Sequence, residues 1–169
     1  MSSLLKFCPN CGKKRVVFKK ESGRHTCRHC GFLFYLNPAP CIGAIILRKN
    51  KVLLGKRKTE PYKGFWDVPG GFIEADESPE KALKREMREE LGIEIGIGKL
   101  IDFFPDWYGP KGSPTLNIYY FVKIKKGKLK AGSDMTELRW HDLKNLPKKI
   151  AFKNSREVLE LVRSKIILC

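Results

Sequence analysis

Between Gly71 and Ile93 the chain reads GFIEADESPEKALKREMREELGI, and no other stretch constrains the fold as tightly. Ser78 is a suitable N-cap, Pro79 suits the first helical position, and Glu80 lies near the positive end of the helix dipole. Leu83, Met87 and Leu91 recur every four residues and supply an apolar stripe that anchors a helix on a core. Gly92 is placed to end that helix with a left-handed residue, and Pro69-Gly70-Gly71 demands a tight turn in the loop before it. On such a helix Glu86, Glu89 and Glu90 fall within an arc of about 100°. Carboxylates crowded like this repel one another by roughly a few tenths of a kcal/mol per pair. A hard divalent cation, which wants several oxygen ligands, turns that penalty into a gain. The plainer alternative is a solvated helix laced by pairs such as Glu80–Lys84.

Taken whole, the run G-x5-E-x7-R-E-U-x-E-E-x-G-U, with U an aliphatic residue or Met, resembles the signature of the Nudix hydrolases. Residues 71–93 match it at every defined position. The resemblance implies an α/β/α sandwich built on a mixed sheet, within the α+β class. It also implies Mg²⁺- or Mn²⁺-dependent cleavage of a diphosphate that joins a nucleotide to another group. By position, Glu86, Glu89 and Glu90 resemble the metal ligands of that family, and the Gly71 carbonyl a further metal contact. Glu77 resembles an additional or supporting ligand, and Arg85 the cation that holds the glutamates by ion pairing.

Near the start, Cys8-Pro9-Asn10-Cys11 and Cys27-Arg28-His29-Cys30 form two CxxC pairs with fifteen residues between them. That spacing reads as a tetrahedral Cys₄ zinc site, with Gly12 and Gly31 serving the turns of two knuckles. The segment is too short to bury a core of its own, so metal supplies much of its folding energy. His25 and His29 are substitute ligands in principle, but four thiolates complete the site. Paired disulfides need an oxidising compartment, and MSSLLKFCPN lacks a basic stretch followed by a long apolar run. A cytoplasmic protein is expected. Cys41 reads as a small buried residue in a strand, and Cys169 as simply terminal.

The net charge is +16 over 169 residues, +7 within 1–38 and +9 within 39–169. Such a surface favours anionic partners, a nucleotide-type substrate first among them. It also opens an RNA contact through the ribbon, where Lys13, Lys14, Arg15, Lys19 and Lys20 offer phosphate contacts and Phe18 and Phe34 offer stacking faces. No run of about eighteen apolar residues is present, so no transmembrane helix or membrane association is expected. Asn37-Pro38-Ala39-Pro40 reads as a linker, dividing a zinc ribbon at 1–38 from a catalytic domain at 39–169. Strands are expected at 42–47, 52–57, 93–104, 116–124 and 137–140, and a second helix at 155–165 with Val158, Leu161, Val162 and Ile166 on one face.

A general base is needed to activate water; Glu137 and Asp134 are the candidates outside the 71–93 run. Arg57 and Lys63 are candidate phosphate contacts. The segment FFPDWYGP lies between two strands; at least one of Phe103 and Phe104 finishes a core strand, while Trp107 and Tyr108, among Gly and Pro, are the candidates to stack a base; Trp66 reads as core. A zinc ribbon joined to such a domain resembles the NADH pyrophosphatase branch. The SQPWPFPxS-like segment of that branch is missing here, the corresponding stretch being FFPDWYGPKGSPTLNIYY. RKTEPYKGFWDVPGG resembles the entry to the signature in ADP-ribose and other nucleotide-sugar pyrophosphatases. The expected activity is therefore a pyrophosphohydrolase of the ADP-ribose type. The alternatives are an NADH or nucleotide-cap pyrophosphatase acting on RNA 5′ ends, and a non-catalytic nucleotide sensor. A homodimer is compatible with the resemblance.

Overall fold

The computed structural model describes residues 5–14, 16–110, 112–132 and 134–167, with residues 166 and 167 described by their backbone alone. Arg15, Cys169 and the Ile166 side chain, all singled out above, lie outside the described residues. The chain falls into two compact units, Met1–Asn37 and Pro38–Cys169.

The first unit is a three-stranded antiparallel sheet. Strands β1 (Val16–Lys19), β2 (Arg24–Cys27) and β3 (Leu33–Tyr35) lie in that order, with a 3₁₀ turn at Lys20–Ser22 between the first two. Cys8-to-Cys11 and Cys27-to-Cys30 each form a knuckle, because the amides of Gly12 and Gly31 donate to the carbonyls of Cys8 and Cys27, both at 2.9 Å. His25 is buried with its ring 4.7 Å from that of Phe18 and 6.1 Å from that of Phe34. Phe18 and Phe34 thus both pack against this histidine. His29 is exposed, as expected.

In the second unit, strands β4 (Ala39–Arg48), β5 (Lys51–Arg57), β6 (Trp66–Asp67) and β7 (Gly70–Phe72) precede helix α1 (Pro79–Leu91). Strands β8 (Ile93–Trp107), β9 (Pro114–Gly127) and β10 (Met135–Asp142) follow, and helix α2 (Lys153–Ile167) closes the chain. The sheet runs β10-β5-β4-β9-β8, with β6 paired to β5 and β7 to β4; β4 and β9 are parallel and the other pairs antiparallel. It is a mixed sheet with a helix on each face. Ile42, Ala44 and Ile46 of β4 meet Ala82, Leu83, Met87 and Leu91 of α1 on one side. Ile45, Val52 and Leu54 meet Val158, Leu159 and Val162 of α2 on the other. This is why β4 is apolar at every position from Cys41 to Ile46: both of its faces are covered.

The local signals of α1 act as read. Ser78 is extended and its hydroxyl accepts from the Lys81 amide, Pro79 opens the helix, and Gly92 closes it at φ 67°. Two readings need correction. Ala39 and Pro40 are strand residues, not linker, pairing with Thr115 and Leu116 of β9 while the Pro40 carbonyl accepts from the Ile73 amide. Proline is tolerated there because it sits at the beginning of its strand. Past the expected strand end at Phe104, Pro105 to Trp107 also continue β8, with Pro105 opposite Leu116 and Trp107 opposite Pro114, so the aromatic loop shrinks to a turn after Trp107. β8 is an edge strand, and Pro105 leaves no ladder bond unmade on its open side. The pairing of β8 with β9 is irregular between Glu94 and Ile95 and again between Ile97 and Asp102, beside Gly96 and Gly98. No helix among the described residues is long and apolar enough to cross a membrane.

Candidate active site

β4 and β5 pair only at Leu47–Val52 and Arg48–Lys51 and then part. β7 lines the β4 side of the opening and β6 the β5 side, while the Ala44 amide donates to the Pro69 carbonyl at 2.9 Å. The turn lies so close to β4 that a Cβ on Gly70 would stand 2.0 Å from the Ile42 carbonyl oxygen. One residue on, a Cβ on Gly71 would stand 2.3 Å from Glu86 Oε1. Two glycines in succession thus let a backbone turn wedge between the sheet and the acidic face of α1.

That face is graded by burial. Glu90 is only 6% exposed, and its Oε2 accepts from the Gly70 amide at 2.9 Å. Burial pushes its carboxyl well above the ordinary range, with Glu86, Asp67 and Asp134 adding like charge. Glu86 is raised too, again first by burial, against the pull of Arg85. Glu89 leaves about half of its side chain in solvent, at the rim. Arg85 binds the group together. Its Nε and Nη2 grip both oxygens of Glu77, each at 2.9 Å, and Nη2 also donates to the Phe72 carbonyl. Its Nη1 donates to Glu86 at 2.8 Å and to Glu89 at 3.3 Å. The Glu77 carboxyl is held low mainly by this arginine.

Glu86, Glu90, Gly71 and Asp134 line one cleft; Glu77 and Glu89 stand outside its lining. The back wall comes from residues that the sequence did not flag. Buried Asp67 accepts from the Val68 amide at 2.9 Å, from the Ser155 hydroxyl at 2.7 Å and from Arg57 Nη1 at 3.2 Å. Burial still leaves its carboxyl above the usual range. The Tyr119 hydroxyl donates to Asn154 Oδ1, and Asn154 in turn donates to Asp106 from its amide and its side chain, at 2.9 and 2.7 Å. Asp106 thereby satisfies an otherwise orphaned amide in the first turn of α2.

Of the other residues singled out above, Arg57 and Tyr108 line the cleft, whereas Lys63, Trp107 and Glu137 do not. Glu137 on β10 instead pairs with Lys56 at 3.7 Å and with Arg139. Cys41 is buried in β4 as expected and also faces the cleft.

In the first unit, the sulfurs of Cys8, Cys11, Cys27 and Cys30 all lie within 4.8 Å of one another. Cys8–Cys30 and Cys11–Cys27 are each 3.7 Å apart, against the roughly 3.8 Å edge of a tetrahedron with 2.3 Å metal–sulfur bonds. The Phe32 amide, assisted by Asn10, pulls the Cys30 thiol down to about 6. The four thiols are free and placed to hold a metal ion. Among the described residues this is the one set whose ligand atoms gather that tightly. The glutamates of α1 are spread between Arg85 and the Gly70 amide.

A family model described as the NUDIX domain matches residues 37–162. The chain is 38% identical over 154 residues to the ADP-ribose pyrophosphatase of Methanocaldococcus jannaschii, covering 90% of this chain and 85% of that protein. It is 28% identical to the NAD-capped RNA hydrolase NudC of Vibrio atlanticus over 87% of this chain, and spans 53% of that longer protein. Among solved structures it is similar to a NUDIX hydrolase from Nitrosomonas europaea, with a TM-score of 0.75, 29% identity, and coverage of 95% of this chain and 92% of that one.

Proposed function

The chain belongs to the NUDIX family, and on that premise we propose that it hydrolyses the diphosphate of a nucleoside diphosphate linked to a second group, ADP-ribose being the preferred type. The observation that carries this reading is the convergence of Glu86, Glu90 and Asp134 on one cleft beside Gly70 and Gly71. The donors there are all oxygens, which suits Mg²⁺ or Mn²⁺. Their mutual repulsion is the penalty such an ion relieves. Glu86 and Glu90 would hold it, with the Gly71 carbonyl as a further contact and Glu89 completing the shell from the rim. Arg85 and Glu77 position these carboxylates. When bound, the cation neutralises the diphosphate and acidifies an attacking water.

The water oxygen bonds to one phosphorus, the bridging oxygen leaves with the other phosphate, and the water proton passes to a carboxylate. Asp134 is the better placed base, since it lines the cleft and acts electrostatically on Glu86 and Glu90. Glu137 is occupied by Lys56 and Arg139. The Cys₄ cluster would hold Zn²⁺, whose preferred tetrahedron its sulfur spacing fits. The similarity to an ADP-ribose pyrophosphatase across most of both chains supports the substrate type.

A second reading, action on nucleotide-capped RNA, draws on the similarity to the NudC hydrolase and on the exposed Lys13, Lys14, Lys19 and Lys20 of the first unit. Its mark is RNA binding that weakens steeply with salt and disappears when residues 1–38 are removed.

The test is a panel of ADP-ribose, NADH, dinucleoside polyphosphates and nucleotide sugars with Mg²⁺ or Mn²⁺, products identified by mass spectrometry. ADP-ribose should give AMP and ribose 5-phosphate fastest, and Glu90→Gln should abolish turnover. No turnover of any diphosphate by the wild type would leave a sensor as the surviving class.

A further inference from the structure

Arg57 faces the cleft, and each nitrogen of its guanidinium has a contact within the protein. Nε donates to the Pro61 carbonyl at 2.8 Å, Nη1 to Asp67 at 3.2 Å, and Nη2 reaches the Tyr108 hydroxyl at 3.5 Å. Its central carbon lies 4.9 Å from the centroid of the Phe152 ring. Three of its N–H groups are thus spent on the protein, and the Nε edge, one of the two that present parallel N–H groups to a phosphate, is closed.

What these contacts hold in place is aromatic. The Tyr108 ring stacks on Phe152 with centroids 5.5 Å apart and planes 22° apart. Phe72 meets Tyr108 edge-on at 5.2 Å. Phe152 is buried at the back, while Phe72 is 42% exposed. All three rings line the same cleft as Glu86 and Glu90. An apolar ring left open beside buried carboxylates, backed by two further rings, offers a flat ligand group a stacking surface that water fills poorly.

We infer that Phe72, Tyr108 and Phe152 form the subsite for the flat aromatic part of the substrate, and that Arg57 is a positioning residue that locks this wall and does not bind phosphate. The inference rests on the nucleotide reading above. Asp67 fixes the fork of Arg57, Arg57 fixes Tyr108 and Phe152, and Phe72 directly follows Gly71 on β7. The stacking surface is thus built on the same strand that abuts Glu86.

The experiment measures calorimetric binding of AMP and of ribose 5-phosphate to the full-length protein with Mg²⁺, comparing wild type, Arg57→Lys and Phe72→Ala. Arg57→Lys keeps the charge and removes the fork; Phe72→Ala removes only the open ring and leaves no buried charge behind, so it reports even if the first variant is unstable. Both should weaken AMP about ten-fold while ribose 5-phosphate changes less than about two-fold. Equal weakening of both ligands by Arg57→Lys would make Arg57 a phosphate ligand and overturn the inference. So would unchanged AMP affinity in Phe72→Ala, or a wild type that binds AMP no more tightly than ribose 5-phosphate. Selective AMP binding by a wild type that turns over no diphosphate would instead sink the hydrolase reading and leave the subsite standing.

Discussion

Gly71→Ala isolates the contact between the turn and the acidic face of α1. The new Cβ would stand 2.3 Å from Glu86 Oε1, where ordinary contact begins at 3.4 Å, so the carboxylate must withdraw by 1.1 Å. It can do so without moving backbone, being the far end of a flexible side chain, but its 2.8 Å contact with Arg85 Nη1 is strained in the process. A misplacement of this size in a reacting constellation costs about 10²-fold in rate, or about 2.7 kcal/mol of transition-state stabilisation. Gly71 does not occupy the left-handed region, so the backbone tolerates alanine, and the roughly 0.4–1 kcal/mol gained through the unfolded chain offsets the loosened Glu86–Arg85 contact, leaving stability within about 1 kcal/mol of wild type. Steady-state kinetics with ADP-ribose and thermal unfolding would be read together. A double-mutant cycle sharpens the test: in a Glu86→Gln background the added methyl should cost little, because the group it displaces is already disabled. An activity within about three-fold of wild type, or an equal 10²-fold loss in both backgrounds, would refute the steric reasoning.

Arg85→Lys loses the two-pronged grip on Glu77 and the bond to the Phe72 carbonyl; kcat should fall about ten-fold with little change in KM, and full activity would show that ion pairing does not position the glutamates. Burial raises Glu86, Glu90 and Asp67, so the folded, chelator-treated protein keeps protons that the unfolded chain has released. Stability from this source is present in the ordinary carboxylate range and is lost as pH rises through the raised folded values. Urea midpoints between roughly pH 5 and 8 should therefore fall less steeply for Glu90→Gln than for wild type, and parallel curves would contradict the burial argument. Cys27→Ser should take retained zinc from about one ion per chain to none after dialysis and speed amide exchange across β1 and β2; zinc retained in full would remove Cys27 from the ligand set.

Helix α1 was legible because every signal it uses is local: a cap, a proline, a four-residue stripe and a terminal glycine all lie within 78–92. β4 and β9 were legible for a similar reason, their burial on one or both faces leaving a direct pattern in the chain. Pro40 and Pro105–Trp107 were misread because their strand character depends on partners far along the chain, Leu116 for Pro40 and Pro114–Leu116 for the other segment. The same limit explains the site. Helical spacing places Glu86, Glu89 and Glu90 on one face but says nothing of depth, which the turn over Gly70 and Gly71 decides. Asp67 and Ser155, joined by a hydrogen bond, lie 88 residues apart and carry no shared pattern. Phe72 and Phe152 read as ordinary apolar residues until β7 and the start of α2 bring them to Tyr108.

The distribution of cations around these carboxylates narrows what Glu90 can be for. Lysine and arginine number 34 in this chain, and the neighbouring acids take what they need: Arg85 serves Glu77, Glu86 and Glu89, and Arg57 serves Asp67. Glu90 is more deeply buried than Glu89, yet among the described residues it has no ion-pair partner, only the Gly70 amide. A buried carboxylate left without a counter-charge either takes up a proton or belongs to a metal site. In a chain this rich in cations, a structural salt bridge would have been easy to supply. On the reading proposed above, a lysine or arginine there would fill the cleft and leave no oxygen free for a divalent cation, so an unpaired Glu90 is what that reading requires.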